Sequence, residues 1–374
     1  MRIAYLSSSK LPSRAANGIH VMKMCQAFAV NGHDVTLYAI QDEGVTDIFG
    51  YYGVKRDFVV EQFRYPRGRQ LGNYLYSWQI RRAVGRTSLP DLFYGRHLMS
   101  LWLLSGIARP MCYEVHNVPS SRFKAWQEGS LFQKKNFKQL VCISEALREE
   151  YLRRFPSLLI NKVVVAHDGA DVPDQHGCEA GLELKRGRSG LRVGYVGHLY
   201  AGKGMEVIRR LAERLPLEIF HIVGGTEEDI ACWRGKSPHN VIFHGFVPPA
   251  MLAPYFCSFD IVLAPLMRKV SVSGGGGDIA RFTSPLKLFE YMAFGKTIIC
   301  SDLPVLREFL SDRKNAWLCS PDRIEDWVSA LETLAVNPGL RERLATTARE
   351  DFLGKYTWRA RAKSVLGKFE STGL

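Results

Sequence analysis

A pattern of short apolar strand, loop and amphipathic helix occurs at two places in this chain. Residues 3–6, IAYL, form an apolar run, and after the loop Ser7–Asn17 apolar residues recur at three- and four-residue steps in a helix that Gly18 opens. The pattern restarts with LRVGYV at residue 191, followed by the loop GHLYAGKG and a helix over 205–215. In both parts further strands alternate with helices, which is typical of a parallel sheet covered on both faces. The sequence therefore predicts an α/β protein with two doubly wound domains.

The residues between these two parts lack the pattern. The segment 173–190, PDQHGCEAGLELKRGRSG, has no apolar periodicity and is predicted to link a first domain, 1–172, to a second, 191–355, with a final helical segment over 356–374. Ligands of doubly wound sheets bind at the carboxyl ends of the strands, and two such domains facing each other leave a cleft. Functional residues are therefore expected in the strand-to-helix loops.

The charge of the chain is unevenly distributed. The formal net charge is +13, and residues 1–172 hold 23 Lys and Arg against 14 Asp and Glu, a net charge of +9. Within 64–86 arginines alternate with aromatic residues: Arg64, Arg67, Arg69, Arg81, Arg82 and Arg86 with Tyr65, Tyr74, Tyr76 and Trp78. This stretch suits single-stranded nucleic acid, an anionic membrane or acceptor, or simply a solvated helix face with some buried rings. No recognisable nucleic-acid-binding motif accompanies it.

Several classes of protein are excluded by what the sequence lacks. The uncharged apolar run over 98–108 has 11 residues, whereas a bilayer-spanning helix needs about 20. The apolar run near the start is too short for a signal peptide, so a cytoplasmic protein is expected. The eight cysteines are scattered without a CxxC pair, which predicts buried free thiols and neither a disulfide framework nor a zinc site. No acidic cluster suits Mg²⁺, so neither a metal nor another cofactor is expected.

In two loops a candidate anion-binding residue lies at the start of a helix. Lys203, in GHLYAGKG, lies beside a helix N-terminus, where its charge is unfavourable unless an anion is bound. In the same loop His198 is either a second phosphate donor or a histidine satisfied within the loop. Gly18 either lets an anion approach free backbone N–H groups or is a glycine N-cap.

Two further segments carry candidate polar groups. In TSPLKLFE, Ser284 suits an N-cap and Pro285 the first helical position, so the amides of this helix start form a second predicted anion site. Lys287 and Glu290 share one helix face, either as a surface ion pair or with the carboxylate on two ribose hydroxyls and the lysine near phosphates. His116 ends the strand YEV and is either a core histidine or one that binds a sugar or acts as a base.

Longer segments of the chain resemble a known family. GHLYAGKG, FHGFVP, IVLAPL and SPLKLFEYMAFGKTIICSDLP resemble the donor domain of family 4 glycosyltransferases, whose GT-B fold has two Rossmann-like domains facing a central cleft. The first-domain segments NGIHVMKMCQAFAVNGHDVTLYA, YEVHN, VCISEAL and VVVAHDGADV resemble that family too. YTWRARA is similar to the segment before the final helix, which in these enzymes crosses back to the first domain. The resemblance therefore covers nearly the whole chain.

The resemblance implies a retaining, metal-independent transfer from a nucleotide-diphosphate sugar to a saccharide or lipid-linked acceptor, in cell-surface polysaccharide or glycolipid synthesis. By matching position, Lys203 would contact the diphosphate, Glu290 the ribose and His116 the donor sugar. Residues near the phosphates would be Gly18 and the helix start Ser284, Pro285, Leu286 and Lys287, and Phe246 and Val247 would lie near the base.

Two positions depart from the family pattern. His198 stands where the family often has an arginine, so neutralisation of the phosphates would depend more on Lys203. Phe282 stands eight residues before Glu290, where the family commonly has a first glutamate that touches the sugar. The nearest upstream acid is Asp278, which follows four glycines, and whether it substitutes is left open.

Three alternatives remain from the sequence. A nucleotide-sugar epimerase uses the same fold and the same donor. A basic nucleic-acid-binding protein would explain the charge, although the resemblance argues for a protein with no nucleic-acid partner. A peripheral protein of the inner membrane face would use the basic stretch 64–86 to lie on anionic lipid near its acceptor.

Overall fold

The structure, a computed structural model, describes residues 1–42, 47–66, 68–86, 88–174, 182–270, 278 and 280–371, without the side chains of Arg69, Gln70 and Ser371. The chain divides into a first unit, Met1–His167 with Trp358–Leu374, and a second unit, Asp168–Thr357. The first unit is therefore built from two separate stretches of sequence.

The first unit has a parallel sheet with helices on its connections. Its elements before the second unit are β1 (Arg2–Leu11), α1 (Ala16–Val30), β2 (Asp34–Gln41), α2 (Ile48–Tyr52), β3 (Val59–Phe63), α3 (Arg69–Val84), β4 (Leu92–Gly95), α4 (Leu98–Leu104), β5 (Met111–Val115), α5 (Arg122–Phe132), β6 (Phe137–Cys142), α6 (Glu145–Arg154) and β7 (Val163–Val165). The strand order is β3-β2-β1-β4-β5-β6-β7, and each strand is parallel to its neighbours. The two directions of winding from β1 make this a doubly wound sheet.

The second unit repeats this plan. Its elements are β8 (Val193–Val196), α7 (Met205–Arg214), β9 (Phe220–Val223), α8 (Glu227–Arg234), β10 (Val241–Gly245), α9 (Ala253–Ser258), β11 (Ile261–Ala264), α10 (Leu286–Ala293), β12 (Thr297–Ser301), β13 (Trp317–Cys319), α11 (Ile324–Val336) and α12 (Pro338–Lys355). The parallel strands are ordered β10-β9-β8-β11-β12-β13. Both strands β8 and β11 are fully buried, as expected for parallel strands covered on both faces.

The last helix, α13 (Trp358–Ser371), belongs to the first unit and packs against α1. The side-chain amide of Gln139 in β6 donates to the carbonyl oxygen of Val365, at 2.8 Å. Asn31, which caps α1, donates to the carbonyl oxygen of Arg359 at 3.1 Å. The two doubly wound domains and the return of the final helix, both predicted above, are thus confirmed.

The domain boundary differs from the predicted linker. The division lies between His167 and Asp168, and the described part of 173–190 is bonded to the second unit. The backbone N–H of Leu182 donates to Ser258 Oγ at 2.7 Å, and that of Arg188 donates to the carbonyl oxygen of Leu217 at 2.8 Å. Residues 175–181 of the predicted linker lie outside the described residues. Segment 182–190, which lacks apolar periodicity, is thus held to the second unit by hydrogen bonds of its backbone.

Candidate functional site

The predicted donor residues of the second unit come together at one edge of its sheet. His198 and Lys203 follow β8, and Phe246 and Val247 follow β10. Helix α10, which carries Lys287 and Glu290, begins at the same edge because it leads into the parallel strand β12. The carboxyl ends of parallel strands are where doubly wound proteins bind ligands.

The loop after β8 is held tightly by its glycines. Gly202 has φ +81°, and a Cβ added there would lie 2.1 Å from the carbonyl oxygen of Lys269. Beneath the loop the hydroxyl of Tyr195 lies 2.6 Å from the carbonyl oxygen of His198 and 3.1 Å from that of Lys203. The loop is therefore fixed to the strand below it before any ligand binds.

Lys203 is largely buried in this loop. Burial lowers the pKa of its ammonium group to about 8. Its Nζ lies 5.5 Å from the ring centroid of Tyr200, and the ring of His198 stacks on that same tyrosine ring at 5.1 Å. A lysine held in this way is a cation that has lost part of its hydration and gains from an anionic partner.

Lys287 is the second cation of the site. Its Nζ is buried and has no hydrogen-bond partner among the described residues, and it lies 3.7 Å from the ring centroid of Tyr195. Burial lowers the pKa of Lys287 well below its usual value, and the neighbouring charge of Lys203 lowers it further. Glu290, one turn further along α10, acts in the opposite direction and raises that pKa. An unpartnered buried ammonium group is costly and indicates a ligand of negative charge.

The start of α10 differs by one residue from the prediction. The helix begins at Leu286 with Pro285 as its N-cap, so the prediction of Ser284 as N-cap is wrong. The Ser284 hydroxyl instead accepts a hydrogen bond from the backbone N–H of Asp168, at 2.8 Å. No side chain caps the helix and its first turn holds no acidic residue, which leaves its amide groups open to an external anion.

Helix α8 of the same unit shows the contrast. Thr226 and Asp229 form a capping box at its N-terminus, with further acidic residues in the first turn. Those protein groups already satisfy the amides and the dipole of α8. The helix start of α10 is therefore the better anion site of the two.

Asp278 is engaged by the backbone on both sides of the glycine segment. Its Oδ1 accepts hydrogen bonds from the N–H groups of Val270, at 3.0 Å, and Ala280, at 2.9 Å. Phe282, at the position of the missing glutamate, is buried. Residues 271–277 lie outside the described residues. Asp278 thus joins Val270 to Ala280, and the question of whether it replaces the missing glutamate stays open.

In the first unit His116 belongs to a buried hydrogen-bonded network. Glu114 of β5 has its Oε1 2.6 Å from His116 Nε2 and 2.7 Å from His20 Nε2. Its Oε2 accepts from the Tyr94 hydroxyl and from Arg361 Nη1, the latter at 3.2 Å. All four partners of the carboxylate are thus side chains of the first unit.

The charge state of this network follows from its contacts. Burial alone would raise the pKa of Glu114, but the charges of Arg361 and His20 and the hydrogen bonds from both histidines hold it well below its usual value. Burial, with the charge of Arg96, lowers the pKa of His116 to about 3. Glu114 is therefore a carboxylate and His116 a neutral imidazole at physiological pH.

The same residues raise the question of a metal ion. His20, Glu114 and His116 offer ligand atoms that all lie within 4.8 Å of one another. Both Nε2 atoms, however, lie at hydrogen-bond distance from a single carboxylate oxygen, closer than the about 3.4 Å that separates two ligands of a tetrahedral zinc ion. The geometry fits hydrogen bonds better than coordination, and the absence of a metal stays a prediction.

The structure corrects the prediction for Gly18. Helix α1 begins at Ala16 and not at Gly18, whose N–H donates to the carbonyl oxygen of Ala15 at 3.0 Å. A Cβ at Gly18 would lie 2.5 Å from the hydroxyl oxygen of Tyr52. The close approach that requires glycine here is to Tyr52, and contact with a phosphate stays a prediction.

Sequence reasoning missed four residues of these two sites: Tyr195, which lies under Lys287, and His20, Glu114 and Arg361, which surround His116. A signal existed for Glu114, because a glutamate inside the apolar strand MCYEV is unexpected in a parallel sheet. Arg361 gave no such signal, since 247 residues separate it from Glu114.

Comparison with known families now decides the identity of the chain. Residues 18–174 match the family described as Glycosyltransferase Family 4, and residues 205–367 match the family described as Glycosyl transferase-like. The chain is a glycosyltransferase whose first part matches family 4. A curated relative, an uncharacterized glycosyltransferase of Methanocaldococcus jannaschii, is 25% identical over 247 residues, which cover 62% of this chain and 60% of the relative.

Solved structures share the fold of this glycosyltransferase. Sucrose-phosphate synthase from Thermosynechococcus elongatus superimposes with a TM-score of 0.75 at 16% identity, over 100% of this chain and 99% of that one. Anabaena HepE in complex with UDP-glucose gives a TM-score of 0.72 at 15% identity, over 99% and 100%. The lipopolysaccharide outer core galactosyltransferase WaaB gives 0.68 at 14% identity, over 100% of both chains. These likenesses establish the GT-B fold.

The structure also bears on the predictions about membrane-spanning helices and cysteines. No helix in the described part of this glycosyltransferase is long and apolar enough to cross a bilayer. Cys257 takes part in a disulfide, so the prediction of free thiols is wrong for this residue. Six other cysteines are free: Cys25, Cys112, Cys142, Cys232, Cys300 and Cys319. Cys178 lies outside the described residues.

Proposed function

We propose that this glycosyltransferase transfers a sugar from a nucleotide-diphosphate sugar to an acceptor hydroxyl, with retention and without a metal ion. The observation that carries the proposal is the buried Nζ of Lys287, which has no partner in the described part of the chain and lies near the charge of Lys203. Two lysines with lowered pKa values beside an uncapped helix start form a site for more than one negative charge. A diphosphate is the ligand that fits this description.

The same groups suit the chemistry of the transfer. Cleavage of the bond between sugar and phosphate leaves positive charge on the sugar and adds negative charge to the departing diphosphate. Lys203, Lys287 and the amides of α10 would stabilise that charge without reorganisation. Glu290 would accept the ribose hydroxyls, and Phe246 and Val247 would lie against the base. The HepE structure with UDP-glucose supports a nucleotide-sugar donor in this fold.

A screen of nucleotide sugars tests the donor. A bound donor raises the apparent stability by mass action, so the correct nucleotide sugar should raise Tm and the nucleoside diphosphate should bind in calorimetry. Failure of every nucleoside diphosphate to bind would refute the proposal. Product analysis without acceptor then separates the epimerase alternative, since only an epimerase converts the donor into an isomer, whereas a transferase slowly hydrolyses it.

We further propose that the acceptor is carried on the cytoplasmic face of an anionic membrane, to which the first unit binds peripherally. Residues 64–138 contain 13 Lys and Arg and three Asp and Glu, a net charge of +10. The acidic side chains of Glu114 and Glu128 are buried, and Asp91 pairs with Arg2 at 3.3 Å. This segment therefore presents positive charge that no exposed unpaired acid offsets among its described residues.

Aromatic side chains accompany that charge. Trp78 on α3 and Phe123 and Trp126 on α5 are about half exposed, and the Phe123 and Trp126 rings stack at 5.8 Å. Arg82 lies over the Trp78 ring at 5.6 Å. Exposed tryptophan beside arginine is the composition of a surface that rests at the headgroup level of anionic lipid. Tyr76, which also belongs to this stretch, is buried and takes no part.

Vesicle flotation tests this second part of the proposal. The protein should float with vesicles of phosphatidylglycerol and phosphatidylcholine and remain in solution with phosphatidylcholine alone. Replacing Phe123 and Trp126 together by serine should weaken binding, whereas Val336→Ser, which removes an exposed apolar side chain from the second unit, should not. Equal binding to both vesicle types would refute it, and a salt-sensitive gel shift with DNA would favour nucleic acid instead.

A further inference from the structure

The last helix of the chain sends one guanidinium group into the interior of the first unit. Arg361 is 3% exposed. Its Nε donates to the carbonyl oxygen of His167 at 2.8 Å, and its Nη2 donates to that of Ala166 at 3.2 Å. Its Nη1 lies 3.1 Å from the sulfur of Met24 and 3.2 Å from Glu114 Oε2. A single side chain of α13 thus joins the end of β7, helix α1 and the carboxylate of β5.

Glu114 passes this constraint on to His116. With Oε2 held by Arg361 and Tyr94, only Oε1 is left for the two histidines. An ionised carboxylate has no proton to donate, so the 2.6 Å contact with His116 Nε2 places the ring proton on Nε2. The Nδ1 atom of a neutral imidazole is then an acceptor with a free lone pair.

That lone pair reaches the surface of the unit. The His116 side chain keeps 20% of its area exposed. No hydrogen bond joins Nδ1 to any described residue, and Nδ1 is not among the buried unpartnered atoms. The ring cannot turn freely, because the His20 ring packs edge-on against it at 4.8 Å, and His20 is in turn packed by Trp358 of α13 at 5.2 Å. His116 therefore presents an acceptor in a fixed direction.

We propose that Arg361 is a positioning residue: through Glu114 it fixes His116 in the Nε2–H form, so that His116 Nδ1 accepts a hydrogen bond from a carbohydrate hydroxyl. The inference rests on the proposed transferase function for the identity of the ligand. His116 then acts as a hydrogen-bond acceptor and not as an acid that donates a proton to the leaving group.

The first experiment examines the free protein. Nitrogen NMR of the histidine rings, with the His116 signal assigned by its loss in His116→Gln, should show a protonated Nε2, an unprotonated Nδ1 and no titration between pH 5.5 and 8. The charged and titratable groups that act on the ring are Glu114, His20 and Arg96, and Arg361 acts on Glu114. A proton on Nδ1, or a charged ring at pH 7, would overturn the proposal.

The second experiment removes the guanidinium. In Arg361→Met the carboxylate remains and a neighbouring positive charge is lost, so the pKa of His116 should rise and kcat should acquire a new acidic limb. The lost hydrogen bond is one between charged groups, so kcat should fall about tenfold or more. The affinity for the nucleoside diphosphate should stay the same, since the lysines of the diphosphate site lie in the second unit. Arg361→Lys, which keeps the charge, should recover part of kcat.

Arg359→Met is the matched control, because Arg359 is exposed on the same helix. Among the described residues its guanidinium bonds only Asn31, whose Oδ1 accepts from Nε at 3.3 Å. It should leave the His116 titration and kcat unchanged. If Arg361→Met does not fold, Glu114→Gln provides the same test, with the Nδ1–H form of His116 becoming populated and kcat falling. A folded variant of either kind with a wild-type histidine spectrum and pH profile would overturn the proposal.

These outcomes are separable from the proposed function. The histidine spectra and their titration are measured without donor or acceptor, so they report the Arg361 network whether or not a nucleotide sugar is used. If no nucleotide sugar binds, the transferase proposal fails while the spectra still decide the form of His116. If the donor binds and Nδ1 carries the proton, only the positioning role is lost.

Discussion

Replacing Lys287 by methionine should stabilise this glycosyltransferase and weaken its binding of nucleoside diphosphates. The Lys287 ammonium is buried without a hydrogen-bond partner among the described residues, and its visible compensation is the Tyr195 ring at 3.7 Å. Methionine keeps the length and flexibility of the side chain while removing the charge. A residue that costs stability in the free protein is expected to be useful only when the ligand is present.

The size of both effects follows from these contacts. A desolvated cation–π contact contributes about 2 kcal/mol, which is less than the several kcal/mol that an unpaired buried ion costs. We expect the free energy of unfolding to rise by about 1–2 kcal/mol, and Tm by about 2–8 °C for a unit of this size. The lost charge-assisted hydrogen bond to phosphate, about 1.5–3 kcal/mol, should raise Kd by about 10- to 150-fold.

Lys296 offers a matched control one turn beyond the end of α10. Burial lowers its pKa to about 8, but its Nζ donates to the carbonyl oxygens of Cys257 at 3.1 Å and Phe259 at 2.9 Å. Lys296→Met should therefore destabilise by about 1–3 kcal/mol and leave Kd unchanged. Thermal unfolding and titration calorimetry measure both quantities. A lower Tm for Lys287→Met, or an unchanged Kd, would refute the assignment of Lys287 to the anion site.

Three further predictions concern the second unit. The pKa of Lys203, about 8 in the free protein, should rise on contact with a diphosphate, so diphosphate binding should take up protons near pH 8 and weaken at higher pH. Calorimetry in buffers of different ionisation enthalpy measures the number of protons taken up, and a value of zero would contradict the prediction. Glu290→Gln should weaken the binding of UDP about tenfold or more and leave the binding of pyrophosphate unchanged. An equal loss of affinity for both ligands would exclude a contact between Glu290 and the ribose. Gly202→Ala, with φ +81° and a Cβ 2.1 Å from the oxygen of Lys269, should cost about 2 kcal/mol or more, and an unchanged Tm would contradict this.

The fold could be predicted because its signals are local. A parallel strand buried on both faces is a short apolar run, and each helix shows its own periodicity, so the alternation could be read twice along the chain. The loop that carries Lys203 was found for the same reason, since a lysine beside a helix N-terminus is a local conflict that only a ligand resolves. The structure adds the glycine and Tyr195 contacts that hold the loop.

The details that failed depend on partners distant in sequence. Ser284 has the composition of an N-cap, but a hydrogen bond to the Asp168 backbone, 116 residues away, takes its hydroxyl. Gly18 has the composition of a helix start, but Tyr52 occupies the space above it. Arg361 and Glu114 meet only after the whole first unit has formed. Local patterns identify which residues are unusual, and the tertiary structure decides what each of them touches.

The discontinuity of the first unit has a consequence for the order of assembly on the ribosome. Proteins generally fold domain by domain from the N-terminus as synthesis proceeds. Here α13 emerges only after the whole second unit, yet it supplies Arg361 and Trp358 to the first unit. The second unit can complete its core while the carboxylate of Glu114 still lacks its guanidinium. The domain translated first is therefore finished last, and a chain released just before residue 358 would have only its second domain complete.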